Sequence, residues 1–285
     1  MAHTKSQKLT LEHPSDPGVS LTGILEQMEP SAPTRGRPIA LILHGTMGHK
    51  DYLFQKALAA RLPLDSFRFD FRGAHESGGT FSQGGFADDV EDVRVVVAYL
   101  TQEYGYKIDL LVGHSRGSVV AMRWLCTSDE GKHVSGFVNV SARYKMDRVL
   151  QSSEPPFKLN EHGYFDWKVT VAGRTTVTRI TAEDLRAFAS WDTSIVWKCF
   201  PSTTDVLTVH GMGDKVVPPY DATIYARALG ARIPGTHNLY FVEFADHNFT
   251  QVRGEVVDAI LQWWGKRKQG EVKTGLWQTG VPHKL

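Results

Sequence analysis

The sequence predicts an α/β fold in which a mostly parallel central sheet carries helices on both faces. Short apolar runs bounded by turn residues recur along the 285 residues, and such runs are typical of strands buried on both faces. Segments with helical spacing of apolar residues fall between these runs, which favours parallel strands joined by helical crossovers. A hydrophobic content of 41% is sufficient for one large core.

The predicted strands and helices alternate along most of the chain. Two short alternating segments, 8–12 and 19–26, are joined by a turn that contains proline and glycine. The apolar runs that follow are PIALILHG at 38–45, SFRFDFRG at 66–73, IDLLVGHS at 108–115, GFVNVSA at 136–142, DVLTVHG at 205–211 and LYFVEFADH at 239–247. Helices are predicted over 51–62, 85–103, 118–126, 219–229 and 249–264.

Residues 143–201 break this alternation. The stretch FDWKVTVAGRTTVTRI contains two alternating runs around Ala172-Gly173 and predicts a β-hairpin. A helical segment at 181–189 follows, where Thr181 and Asp184 have the spacing of a capping arrangement. We interpret the region as a small cap inserted between two core strands of a single domain covering the whole chain, 1–285. The polar tail at about 265–285 is expected to lie on the surface.

Composition and charge argue against several classes of partner. The chain has 32 basic and 31 acidic residues and a formal net charge of +1, so no strong field draws it to nucleic acid or to an anionic membrane. No apolar run has the length of a signal-peptide core or a membrane span, and we expect a cytoplasmic protein. No metal and no cofactor are predicted. The oligomeric state is left open between monomer and homodimer.

Residues 113–117, Gly-His-Ser-Arg-Gly, stand at the junction between a predicted buried strand and a predicted helix. A sharp turn of this kind can hold its central residue at a positive φ and requires small residues on either side. It lifts the hydroxyl of Ser115 out of the sheet and directs the amides of the helix N-terminus toward the group that is attacked. The pentapeptide alone is a weak signal, but its context is the one required of a nucleophile elbow.

A serine at such a turn needs a base and an acid, and both are expected later in the chain at strand ends. Asp214 lies in a glycine-rich turn after one strand, and His247 ends the next strand run. We predict that His247 is the base for Ser115 and that Asp214 holds its tautomer. Asp246 is the main alternative for the acid, but adjacent residues after a strand rarely face each other.

The loop HGTMGHKD at 44–51 follows an early strand, where a second oxyanion-hole donor is expected. Its two glycines permit close approach of the backbone. We predict the backbone amides of Thr46 and Arg116 as the two donors, with Met47 as the alternative to Thr46. For His44 we favour a structural role, in which its side chain holds the loop. The histidines of this loop lack a third ligand at a suitable spacing for a metal.

Aromatic residues of the cap suggest where a substrate binds. Tyr164, Trp167 and Trp191 lie in or near the predicted cap and could line an acyl or aryl pocket together with Met47. The alternative is that these aromatic residues form the small core of the cap itself.

Together these segments resemble the α/β-hydrolase superfamily. The resemblance covers about residues 20–265 and rests on HGTMG, FDFRGAHESGGT, GHSRGS, HGMGDKVVP and ADHNF, in this order. It implies the α/β-hydrolase fold. The hairpin-containing insertion resembles the caps of cinnamoyl and feruloyl esterases, and the general pattern is similar to the serine-aminopeptidase and monoacylglycerol-lipase-like group. Arg116 departs from the glutamine that is common at this position in cinnamoyl esterases, which weakens any transfer of substrate identity.

Two functions of different classes follow from these residues. The first is a serine hydrolase that cleaves a small-molecule carboxylic ester of a small or medium acyl or aryl acid through an acyl-enzyme. Thioesterase, lactonase and peptidase activities use the same machinery and are left open. The second is a receptor-like protein that binds a small molecule on a hydrolase scaffold with slow or no turnover, because a fold does not fix a function.

Overall fold

The fold is built on one large sheet, in a computed structural model that describes residues 5–151 and 157–278. The described residues form strands β1 Lys5–Glu12, β2 Ser20–Gln27, β3 Pro38–Leu43, β4 Asp65–Phe69, β5 Lys107–His114, β6 Gly136–Val140, β7 Tyr164–Val171, β8 Arg174–Thr181, β9 Asp205–Gly211, β10 His237–Val242 and β11 Gly275–Leu276. Nine of them make the sheet, in the order β1-β2-β4-β3-β5-β6-β9-β10-β11. Strands β1 and β2 are antiparallel to their neighbours, and the pairs from β4 to β11 are parallel, so the predicted mostly parallel sheet is confirmed.

Helices cover both faces of this sheet. They are α1 Gln55–Arg61, α2 Phe86–Tyr104, α3 Arg116–Thr127, α4 Ala182–Ala189, α5 Val196–Cys199, α6 Pro219–Gly230 and α7 Arg253–Lys268. Successive strand residues point to opposite sides, so Leu41 of β3 joins the apolar core under α2, α3 and α6, while Ile42 joins the core under α1 and α7. In the part of the chain that the structure describes, no helix is long and apolar enough to cross a membrane.

Several element boundaries differ from the sequence prediction, among them the start of the last helix, which lies at Arg253 rather than at residue 249. The first helix begins at Gln55 rather than at residue 51, because Asp51 instead turns back to pair with Arg68 at 2.7 Å. The last helix continues to Lys268, and β11 then adds a parallel strand beside β10. Part of the predicted surface tail therefore extends the sheet, and its residues 279–285 lie outside the described residues.

The predicted cap occupies the interval between β6 and β9. Strands β7 and β8 pair with each other as an antiparallel hairpin whose turn is Ala172-Gly173, as predicted. Helix α4 begins with a capping box, in which the Thr181 hydroxyl accepts from the amide of Asp184 at 3.1 Å and the Asp184 carboxylate accepts from the amide of Thr181 at 3.0 Å. Residues 152–156 of the predicted cap lie outside the described residues.

The cap also packs on the loop that precedes α2. The Ser82 hydroxyl donates to the Asp184 carboxylate at 2.7 Å. A Cβ placed on Gly84 would lie 2.6 Å from the Cβ of Ala187, so only glycine permits this close approach between the loop and α4. The cap is therefore held against the body of the protein close to the N-terminus of α2.

Candidate active site

Ser115 lies at the sharp turn between β5 and α3, with φ 51° and ψ −116°. This positive φ is strained for a residue with a side chain, and close packing holds it in place. A Cβ on Gly113 would lie 2.5 Å from the amide nitrogen of Ser118, and one on Gly117 would lie 2.5 Å from the carbonyl oxygen of His44. The two glycines of the motif are therefore required by backbone contacts on both sides of the serine, which is the geometry expected of a nucleophile elbow.

The loops after β9 and β10 bring an acid and a base to Ser115. The Nε2 atom of His247 lies 3.0 Å from the Ser115 hydroxyl oxygen, and its Nδ1 atom lies 2.7 Å from Oδ2 of Asp214. All three residues follow the carboxyl ends of parallel strands, where sites form in open α/β sheets. We refer to Ser115, His247 and Asp214 as the candidate triad.

Asp214 is held as a buried carboxylate. Its Oδ1 atom accepts from the amides of Val216 and Val217 at 2.8 Å each, and its Oδ2 atom faces His247 and, at 3.3 Å, the Nε2 atom of His210. Burial by itself would raise the pKa of Asp214, but the hydrogen bonds from His210 and His247 outweigh burial and place this pKa well below its usual range. Asp214 is therefore ionised at neutral pH and can stabilise an imidazolium.

Asp246, the alternative acid, faces away from His247. Its carboxylate accepts from the amide of Asn248 at 3.1 Å and from the amide and hydroxyl of Thr250 at 2.9 and 2.7 Å. These bonds shape the loop after β10. His114 supports the same loop, because its Nε2 atom lies 2.9 Å from the carbonyl oxygen of His247.

The loop after β3 lies directly against the elbow. A Cβ on Gly45 would lie 3.2 Å from the Cβ of Ser115. The side chain of His44 holds this loop, since its Nδ1 atom lies 2.8 Å from the Gly45 carbonyl oxygen and its Nε2 atom accepts from the Phe71 amide at 3.0 Å. Burial lowers the pKa of His44 to about 4, which keeps the ring neutral for these contacts. Thr46 follows, and both it and Arg116 border the same cavity as Ser115.

The side chain of Arg116 is buried and serves as a structural anchor. Its Nε atom donates to the Asp89 carboxylate at 2.5 Å, and its guanidinium donates to the carbonyl oxygens of Gln83 and Ser82 at 2.7 and 3.1 Å. The guanidinium carbon also lies 4.2 Å from the centre of the Phe86 ring. The side chain of Arg116 therefore ties the elbow to the start of α2.

One group of potential metal ligands occurs among the described residues. Oxygen or nitrogen atoms of Asp70, His75 and Glu76 lie within 4.8 Å of one another. The buried ammonium of Lys50 already lies 2.6 Å from the Asp70 carboxylate and 2.5 Å from that of Glu76. The arrangement is that of an ion-pair network around a lysine, which does not fit a cation site.

A cavity of about 830 Å³ opens above the candidate triad. Of the residues predicted to contact a substrate, Met47 and Trp167 line this cavity. Tyr164 does not, because side chains alternate along β7 and that of Tyr164 lies on the outer face, 3.9 Å beneath the guanidinium of Arg179. Trp191 also lies outside the cavity, where it stacks on Phe86 at 5.1 Å. Tyr164 and Trp191 therefore lie outside the cavity that borders Ser115, unlike Met47 and Trp167.

Other lining residues were not predicted from the sequence. The apolar part of the cavity wall includes Phe86, Val119, Met146, Val149, Phe157 and Phe188, together with Val216, Val217 and Pro218 of the loop after β9. Its charged part includes Arg143, Arg148 and Lys215. Arg143 and Lys215 follow the carboxyl ends of β6 and β9, and this position was the available signal for both.

Comparison with known proteins agrees with this architecture. The sequence profile of the alpha/beta hydrolase family matches residues 40–259. Over 246 residues the chain is 27% identical to the uncharacterized Saccharomyces cerevisiae protein YDL057W, covering 76% of this chain and 70% of that protein. Est1E from Butyrivibrio proteoclasticus with bound ferulic acid has a TM-score of 0.72 at 17% identity, covering 92% of this chain and 99% of that one.

A second solved structure has the same fold. The Pyrococcus furiosus esterase Pf2001 has a TM-score of 0.65 at 17% identity, with 92% of this chain and 90% of that chain covered. At this identity the likeness concerns the fold. Because the family profile spans most of the sequence, the chain belongs to the alpha/beta hydrolase family.

Proposed function

We propose that the protein is a serine hydrolase that cleaves a carboxylic ester of a small or medium acyl or aryl acid. The observation that carries this proposal is the continuous hydrogen-bonded chain from the Ser115 hydroxyl through His247 to Asp214, at 3.0 and 2.7 Å, at the base of a large cavity. This chain has the geometry needed to remove a proton from a serine hydroxyl. No cofactor is required for the chemistry.

In the proposed reaction the Ser115 oxygen bonds to the ester carbonyl carbon while His247 takes the hydroxyl proton. The tetrahedral oxyanion accepts hydrogen bonds from the backbone amides of Thr46 and Arg116, with that of Met47 as the alternative to Thr46. Collapse breaks the bond between the carbonyl carbon and the alcohol oxygen, and His247 gives its proton to the departing alcohol. Water activated by His247 then releases the acid from the acyl-enzyme.

The first experiment measures whether Ser115 is an activated nucleophile. Intact mass is recorded after exposure to a fluorophosphonate, for the natural protein and for Ser115→Ala, with hydrolysis of 4-nitrophenyl butanoate followed in parallel. We expect one adduct and multiple turnovers for the natural protein, and neither for the variant. No adduct on folded natural protein would contradict the proposal. A burst of product that stops after one event per molecule would favour the receptor-like function instead.

The cavity assignment predicts different effects for two aromatic residues of β7. Trp167→Ala should lower kcat/KM for 4-nitrophenyl butanoate about tenfold, because it removes apolar contact worth about 1.4 kcal/mol. Tyr164→Ala is the matched control, since its ring lies on the outer face of the hairpin, and it should stay within about twofold. Steady-state kinetics measures both. Equal losses of kcat/KM in the two variants would mean that each substitution disturbs the hairpin, and that Trp167 makes no specific contact with the substrate.

A further inference from the structure

The charged side chains that border the cavity are unbalanced in sign. Four cationic residues border it, Arg116, Arg143, Arg148 and Lys215, whereas none of the described residues that line it is an aspartate or glutamate. Arg116 is neutralised by Asp89. For the other three, no carboxylate lies within salt-bridge distance in residues 5–151 and 157–278. The cavity therefore presents net positive charge in a protein whose overall charge is close to zero.

Arg143 is the most informative of the three. Its guanidinium donates to the Val216 carbonyl oxygen at 2.5 Å, which uses one of five N–H donors. Burial lowers the pKa of Arg143, against the attraction of Asp221 and Asp214, yet an arginine stays charged at neutral pH. The carboxylate of Asp221 is committed elsewhere, to the amides of Tyr144 and Lys145. A half-buried guanidinium with free donors beside a cavity is suited to a carboxylate or a phosphate.

The position of these charges relative to the candidate triad indicates which part of the substrate they would bind. Lys215 directly follows Asp214, and Val216, which binds Arg143, lies in the same loop. In acyl transfer the leaving alcohol receives its proton from His247, so the leaving group lies on the side of the site that His247 occupies. The apolar wall contributed by α2, α3 and the cap is then available for the acyl chain.

We infer that the natural substrate is an ester or thioester whose leaving group carries a carboxylate or phosphate, bound by Arg143 and Lys215, while its acyl group is apolar. This inference rests on the proposed function and specifies its substrate class. It also accounts for a cavity whose described lining combines apolar residues with cationic side chains that have no carboxylate partner.

The test compares esters that differ only in the charge of the leaving group. For a carboxylate, kcat/KM is measured for 3-carboxy-4-nitrophenyl butanoate and for its neutral methyl ester. For a phosphate, S-butanoyl-4′-phosphopantetheine is compared with S-butanoylpantetheine. We expect the anionic member to be preferred about tenfold or more in at least one pair, and Arg143→Gln to lower that ratio about tenfold. The change in this ratio between Arg143→Gln and the natural protein cancels the difference in intrinsic reactivity between the two esters.

Three further variants separate charge recognition from support of the loop. Arg143→Lys keeps the positive charge and should keep the ratio within about threefold of the natural value, while Lys215→Gln should lower it about threefold. Lys56→Gln, which removes an exposed charge from α1, should leave the ratio unchanged.

A natural protein that hydrolyses neutral esters without preferring either anionic partner would overturn the inference. An Arg143→Gln variant that slows both members of a pair equally would do the same. Absence of any hydrolysis would instead contradict the proposed function.

Discussion

Asp214→Asn is expected to lower kcat about 10⁴-fold on any ester that the protein cleaves. The amide oxygen of asparagine can still accept from the amides of Val216 and Val217, so the loop after β9 keeps its shape. Its NH₂ group would then face Nδ1 of His247, which stabilises the tautomer in which Nε2 carries the proton. That tautomer cannot accept the proton of Ser115. Steady-state kinetics with 4-nitrophenyl butanoate measures the loss, and urea unfolding checks that the variant is folded.

The matched control is Asp246→Asn. Asp246 precedes His247 directly and is also a carboxylate, but it bonds to Thr250 and Asn248 and makes no contact with the imidazole. We expect its kcat to stay within about threefold of the natural value, the effect of a small shift in a loop. A loss for Asp246→Asn as large as that for Asp214→Asn would show that the acid has been misassigned.

The second large effect is on stability. Arg116→Met should lower the free energy of unfolding by about 3–5 kcal/mol, because it leaves the Asp89 carboxylate buried without its partner. Side chains of both residues are about 95% buried, with 4% and 5% exposed. Burial already raises the pKa of Asp89 to about 6 even though Arg116 opposes this, so the carboxylate is poorly solvated. Urea unfolding at pH 7.5 measures the change.

Two comparisons make this stability prediction specific. Arg61→Met breaks an ion pair with Asp258 whose side chains are half exposed, and it should cost less than about 1 kcal/mol. The double variant Asp89→Leu with Arg116→Met removes both charges, and it should recover most of the loss, since an apolar pair of similar volume is often as stable as a buried ion pair. A double variant as unstable as Arg116→Met would mean that the packing of the arginine on Phe86 matters more than its charge.

Most of the fold could be predicted because the spacing of apolar residues in each segment agrees with the burial of that segment in the structure. The apolar runs at β3, β5 and β9 read as strands since both of their faces are buried, and the helices between them show their own spacing. The strand β11 could not be predicted, because two exposed residues, Gly275 and Leu276, carry no pattern. Their pairing depends on where α7 ends.

The site could be predicted in part for a related reason. Ser115, Asp214 and His247 lie in the turns and loops that follow strand ends, and strand order brings such loops to one edge of a parallel sheet. The apolar wall could not be predicted in this way, because Phe86 and Phe188 come from helices whose relative position depends on tertiary packing. Trp191 and Tyr164 were predicted to contact a substrate from their residue type alone. That prediction did not consider on which face of the cap each side chain lies. A strict alternation count along β7 would have excluded Tyr164.

The cap is one uninterrupted stretch of chain, entered after β6 and left before β9, while Ser115 precedes it and Asp214 and His247 follow it. A gene rearrangement could therefore exchange the whole stretch without displacing any of these three residues. Lys215 would also remain, because it belongs to the loop after β9, whereas Arg143 lies within the exchanged stretch. Exchange of this one stretch would change Arg143 and the cap's part of the cavity wall together, while the candidate triad is inherited unchanged.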